Sequence, residues 1–346
     1  LLPNLYMPPL YAYYLYFFSI FNFENQNYIQ LILSTQILLS SAAVALLYKI
    51  NKLFFSQKIS FYSSLLFSVF PLHIYSCTQI SSITLQTFFA ILFFYFFFQV
   101  IKRKNIFFTT SFSLVAGLLV LLRGEFIVII LLSLVYLFVF FKISIQKISI
   151  IFLIMLITVS PYLIRNVYIF NTLTITKTFG YNLWKGNNLN SKVEGSELID
   201  ANLKEKINKI PKNKLYQINL DKIFLDQAIT NILSDPTRYT FLYIKKFLSF
   251  LFIDINSSQT NYYAPLHYIP VLLLGITSLI GILLSDKKNK GLNYLIIIFF
   301  VYIFIFSCFF ILSRYKLAIL PLQIIFTNIF INYISKNFFK NHEQSK

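Results

Sequence analysis

Acidic residues are scarce: the 346-residue chain holds 12 Asp and Glu against 30 Lys and Arg, and charged residues of both signs make up only 12% of it. Soluble domains carry roughly a quarter of their residues as charges, so a soluble class is excluded. Cysteine is almost absent. Cys77 and Cys308 both fall in apolar stretches, where a thiol acts as a small hydrophobe, and no disulfide is expected. Histidine is as rare, and His73, His267 and His342 are scattered without ligand spacing; no metal site is expected. The opening LLPNLYMPPLY holds neither an initiator Met nor the basic start of a signal peptide. The chain therefore reads as N-terminally truncated.

What is abundant is apolar. Hydrophobic residues are 57% of the chain and the mean hydropathy is +0.69. Runs near the roughly 20 residues that cross a bilayer as a helix recur along the chain, whereas a membrane barrel would show short alternating segments. The class is all-α and polytopic, with about nine transmembrane helices near residues 28–48, 59–76, 80–101, 105–122, 126–141, 148–165, 267–285, 291–311 and 316–334. The connections holding Lys49/Lys52/Lys58, Lys102/Arg103/Lys104, Lys142/Lys147, Lys287/Lys288/Lys290 and Lys336/Lys340 then share one side, which the positive-inside rule makes cytoplasmic. This topology, together with a lysine-rich codon bias, accounts for the net charge of +18. The cations form no single stripe or arm, so no nucleic-acid partner is expected.

The alternation holds only if Pro8 to Phe21, PPLYAYYLYFFSIF, stays on the outer face as an interface helix. Thr237 to Phe252 reads as a second such helix, with Lys245 and Lys246 in its middle. The expected organisation is an interface helix and loop over 1–27, transmembrane helices over 28–165, one large extracytoplasmic loop with amphipathic helices over 166–266, C-terminal transmembrane helices over 267–335 and a cytoplasmic tail over 336–346. Residues 166–236 are too many for a mere connector, and Leu215 to Leu233 has helical apolar spacing ended by Ser234-Asp235-Pro236.

Of the 30 basic residues only five are Arg, and Arg123, Arg165 and Arg314 each end an apolar run on the outer side. A planar five-donor fork there suits a phosphate at headgroup level, or the three serve as snorkelling anchors. Glu125 follows Arg123 in LLRGEF. The two form either an ion pair at a tight turn or part of an outward polar site. The only Trp lies in GYNLWKGNN, Gly180 to Asn188. Either it stacks on a sugar face while Asn side chains bond hydroxyls, or it plugs into the interface.

Four stretches in order, PPLYAYYL, SPYLIRNVYIFNTLTITKTFGYNLWKGNN, DPTRYTFLYIKKFLSFL and SRYKLAILP, resemble the bacterial family 39-type glycosyltransferases. These are the dolichyl-phosphate-mannose mannosyltransferase and aminoarabinose-transferase relatives of the GT-C superfamily. The resemblance implies an inverting enzyme that takes sugar from a polyprenyl-phosphate donor, with membrane lipids around it. It would deliver that sugar to a lipid, glycan or protein acceptor at the outer face of a bacterial inner membrane. No cofactor is implied. Carried over by position, Arg314 and Tyr315 match the family's Arg-Tyr motif, and Arg314 is assigned to the lipid phosphate; Arg165 and Asn166 match the Arg-Asn pair that opens the main outer loop, where Arg165 serves either as a further donor-phosphate residue or in helix-end architecture. Tyr181, Asn182, Trp184, Asn187 and Asn188 match the aromatic-Gly-Asn motif and are assigned to sugar or acceptor contact. Arg123 and Glu125 remain a possible polar site. Two departures stand out: Ile83 occupies the place of the family's Glu, and the expected catalytic acid falls upstream of Leu1, with Glu24 outside the expected setting. An O-antigen polymerase or ligase type of enzyme and a lipid-linked-sugar flippase are the competing readings.

Overall fold

The computed structural model describes residues 5–21, 25–103, 105–254, 256–257 and 265–344. Among these every regular element is helical. In chain order they are α1 (Pro9–Ser19), α2 (Asn25–Asn51), α3 (Gln57–Ser68), α4 (Pro71–Cys77), α5 (Ile83–Lys102), α6 (Ile106–Leu122), α7 (Phe126–Val139) and α8 (Ile145–Phe170). The segment that follows holds α9 (Phe179–Gly186), α10 (Ala201–Asn208), α11 (Tyr216–Ser234) and α12 (Pro236–Leu251). The chain then returns through α13 (Pro265–Leu283), α14 (Lys290–Ser307), a 3-10 turn (Ser313–Ala318) and α15 (Leu320–Gln344).

Each of the nine expected apolar segments contains a helix, yet among the described residues length and composition qualify only five as able to cross a membrane: 27–51, 83–102, 145–170, 265–283 and 290–307. A sixth arises if the α3–α4 pair, bent by 54°, counts as one span. The bend has a sequence cause. Pro71 is tolerated at the first position of a new helix but cannot donate to the preceding turn, so the run expected over 59–76 breaks before it. The expectation over 148–165 was short at its end, because the helix continues through Arg165 to Phe170 despite Pro161.

Helix pairs α2–α5, α6–α8 and α13–α15 pack most extensively. Aromatics fill the centre: the Phe97 and Tyr294 rings stack at 3.8 Å, and Tyr294 shares a 2.8 Å hydrogen bond with Ser133. Few polar groups are buried among the helices without a mate, as an apolar surround requires. Asn51, for example, donates to Ser63 Oγ at 3.0 Å and accepts from Asn328 at 3.1 Å. Residues 171–254 gather at one end of the bundle, called here the loop face; the lysine-bearing turns lie at the other.

Candidate active site

The GYNLWKGNN stretch folds as α9 and the turn after it, and it is a fastening. A Cβ on Gly180 would lie 2.1 Å from the Asp221 carbonyl of α11, and one on Gly186 would lie 2.3 Å from the Phe309 carbonyl. Both glycines thus let backbone meet backbone. Trp184 is 2% exposed, its ring centroid 4.6 Å from that of Phe224, in a small core with Leu203 and Ala228. Asn187 donates to the Leu183 and Cys308 carbonyls, both at 2.8 Å, and Asn188 donates to Ser196 at 2.6 Å. Tyr181 Oη donates to Glu197 at 3.1 Å, and Lys185 pairs with the same carboxylate. Trp184, Asn187 and Asn188, expected at a sugar, therefore hold the loop face together.

Lys246 of α12 completes the fastening. Its buried amine donates to the Gly186 carbonyl at 2.8 Å and to Asn187 Oδ1 at 3.0 Å. Burial pushes it down to about 7 from an ordinary 10.5, and burial does the same to Lys316, whose amine donates to the Phe252 carbonyl. Between these values the unfolded chain binds protons that the folded chain lacks, so stability rises with pH from about 7 toward 10. The thermal midpoint followed by Trp184 emission is therefore expected higher at pH 9.5 than at pH 7 in the wild type, with a flatter rise in Lys246→Met. A midpoint that falls with pH would contradict this account.

Beside the fastening lies a cleft of two lobes, about 300 Å³ and about 230 Å³, that share Arg123, Glu125, Thr176, Thr178 and Asn182 as lining. The first lobe is closed by Phe306, Phe309, Phe310 and Tyr315, the second by Tyr6, Met7, Tyr11 and Ser82. Arg123 and Glu125 occupy the short break between α6 and α7, where Arg123 turns extended and ends α6. Its guanidinium lies 5.2 Å from the centroid of the Tyr315 ring. Arg123 and Glu125 form no ion pair with each other, which corrects the paired reading. Both face the shared lining instead.

Four helices begin at this cleft: the N-cap residues Pro8 of α1, Ser82 of α5, Glu125 of α7 and Thr178 of α9 all line it. None of the four caps its helix with its own side chain. By contrast α3, α6, α8 and α14, which begin at the opposite face, are capped by Ser56, Asn105, Ser144 and Asn289. Asp221 accepts from Tyr181 N and so offsets α9, while the first amides of α7 bond back to the Arg123 and Gly124 carbonyls. The positive ends of the helix dipoles still converge, each equivalent to roughly half a charge. With the Arg123 guanidinium they make the cleft receptive to an anion. Tyr11 adds a buried hydroxyl without a hydrogen-bond partner, and burial holds its phenol above the ordinary range.

Of the residues expected to hold the donor phosphate, Tyr315 alone lines the cleft. Arg314 is exposed, with its guanidinium 5.8 Å from the Tyr315 ring centroid. Arg165 donates to Asn166 Oδ1 at 2.7 Å and lies over Tyr162 and Phe170; Asn166 is fully buried and pins the Thr174 carbonyl. That pair shapes the entry into the loop. Ile83 is buried beside Ser82 at the start of α5, and Glu24 lies outside the described residues. Sequence reading missed Thr176, Thr178, Tyr11 and Phe309. The only signal for the two Thr was their place in TITKTFGYN just ahead of a helix.

Among curated proteins and among solved structures, nothing matches the chain. The model of one protein family does match, that described as dolichyl-phosphate-mannose-protein mannosyltransferase, over residues 7–164. This stretch, a little under half of the chain, supplies Tyr11, Ser82, Arg123 and Glu125 to the cleft, while residues 176–182 and 305–315 of the other wall lie beyond it. Over residues 7–164, from α1 into α8, the chain is thus similar to this glycosyltransferase family, and several of its helices are able to cross a membrane.

Proposed function

We propose that the protein moves a sugar from a polyprenyl-phosphate donor to a lipid, glycan or protein acceptor at the outer face of a bacterial inner membrane, with inversion at the anomeric carbon. The observation that carries this reading is the cleft in which helix N-termini, Arg123 and the unpartnered Tyr11 hydroxyl converge. Such a group of donors matches a phosphate that gains charge as it leaves. Arg123 and the start of α5 receive the phosphate, Asn182, Thr176 and Thr178 face the sugar, and Tyr315 keeps Arg123 in place.

The chemistry follows from those positions. An acceptor hydroxyl oxygen attacks the anomeric carbon, the bond from that carbon to the phosphate oxygen breaks, and the electron pair departs with the lipid phosphate. The hydroxyl proton goes to a carboxylate. Glu125 is the carboxylate that lines both lobes, and it takes this role here. The isoprenoid tail has a place as well: an apolar groove of about 650 Å³ lined by Leu10, Tyr14, Phe18, Leu38, Leu85 and Phe89 runs along α1 and α5. Those two helices start at the cleft, so phosphate and tail are received along the same pair of helices.

The test uses purified full chain with a polyprenyl-phosphate sugar labelled in the sugar and membrane glycolipid or protein as acceptor. Acceptor-dependent transfer of label, with release of free polyprenyl phosphate, is the expected result. Donor that stays intact under these conditions, or merely changes leaflet, would overturn the proposal.

A further inference from the structure

A second cavity, of about 770 Å³, lies along α12 and shares no lining residue with the cleft. One wall is a single helical stripe, Arg238, Phe241, Leu242, Lys245 and Leu248, whose members fall three, four and seven residues apart. The facing wall comes from Lys192 and Val193 of the loop and from Ile253 and Asp254 beyond the helix. The Val193 carbonyl accepts from Ile311 N at 2.9 Å, so the 308–312 segment stands between this cavity and the cleft. Three cations from two separate segments thus line one cavity whose lining holds one carboxylate, Asp254, with Glu194 close behind it. Arg238 Nη2 donates to the Leu189 carbonyl at 2.5 Å, which fixes the guanidinium at the rim.

The apolar part of the same helix sets the depth. Phe241 is 62% exposed, and Ile244 and Leu248 are each 47% exposed. Over the same turns, α12 lies against the loop-face end of the membrane helix α14: the Phe247 and Phe304 rings are 5.2 Å apart and Tyr243 Oη donates to the Phe304 carbonyl at 3.3 Å. Exposed apolar residues beside a helix end that leaves the bilayer belong in the acyl boundary, and cations one turn away from them belong at headgroup level. A soluble anion would find the charges without needing the apolar stripe. An acidic protein segment would leave Phe241 and Leu248 uncovered.

We infer that this groove is a second lipid site, which holds the phosphate-ester headgroup of an anionic membrane lipid between Lys192, Arg238 and Lys245 while its acyl chains cover Phe241, Ile244 and Leu248. The site does not depend on what is transferred in the cleft. It docks α12 on the bilayer and so fixes the roof of the loop face, because Lys246 of the same helix holds the α9 turn.

The experiment titrates the purified full chain in neutral detergent with a fluorescent short-chain phosphatidic acid and, separately, with its phosphatidylcholine counterpart, each read by anisotropy. The expected result is tighter binding of the anionic probe by the wild type. In Arg238→Gln/Lys245→Gln that preference falls on the order of tenfold or more for the two charges together, with phosphatidylcholine binding unchanged. Both replaced side chains are exposed, and unaltered emission of buried Trp184 certifies the fold. Inorganic phosphate at millimolar concentration should leave the probe bound. Equal binding of both probes by the wild type, full retention of the preference in the variant, or complete displacement by inorganic phosphate would each overturn the inference.

Discussion

Arg123→Gln is expected to lower the turnover of sugar transfer by about 10²–10³-fold, the usual cost of removing one preorganised charge at a developing anion. The guanidinium lines both lobes, is held against the Tyr315 ring at 5.2 Å and forms no ion pair with Glu125. Its charge is therefore free for the substrate, and the loss should appear mainly in kcat, because the phosphate gains charge only as it leaves. Arg314→Gln and Arg165→Gln serve as the comparison. Arg314 stands outside the lining with its guanidinium 5.8 Å from the same ring, and Arg165 is engaged with Asn166, so each should cost less than about tenfold, within what a single exposed or partly exposed charge contributes. Steady-state kinetics on the three variants check this ordering, and a larger loss in Arg314→Gln than in Arg123→Gln would return the phosphate to Arg314.

The second large effect falls on stability. Gly186→Ala places a methyl 2.3 Å from the Phe309 carbonyl and 2.4 Å from its carbon, inside any real contact distance, and backbone cannot swing away as a side chain can. The expected cost is about 3 kcal/mol or more, felt as separation of α9 from the 308–310 segment. Asn187 would lose its bond to Cys308 and Lys246 its bond to Gly186 at the same time. Trp184 emission should shift to the red and protease should cut between α9 and α12, with the membrane helices intact. A variant with wild-type emission and proteolysis would show that this contact has more slack than the geometry allows.

The membrane helices were largely legible because they rest on long apolar runs, a signal that survives any packing arrangement. α6 and α7 show its limit: their composition is apolar enough, but a break at Arg123-Gly124-Glu125 makes them short. The aromatic helix at the start was also readable, since PPLYAYYLYFFS carries both a helix-start signal and interface residues. Roles of single polar residues were not. Asn182 and Asn187 stand five positions apart in one motif, yet the first faces the cleft and the second bonds a carbonyl 121 residues away. Only the tertiary partner separates them, and local sequence does not contain it. For the same reason Arg123 and Arg314 look alike as helix-end arginines, although only Arg123 lines the cleft and Arg314 is exposed.

That 121-residue separation also governs how the molecule comes to be made. The amide of Asn187 and the carbonyl of Val193 wait for Cys308 and Ile311, so the loop face cannot close when its own residues emerge. At the roughly 5–20 residues per second of synthesis, the Asn187 amide waits about 6–24 s for Cys308, while α13 and α14 are still to be inserted. The loop face is thus synthesised well before the 308–311 segment that closes it, and cellular factors that hold unfinished chains have that interval in which to act on it.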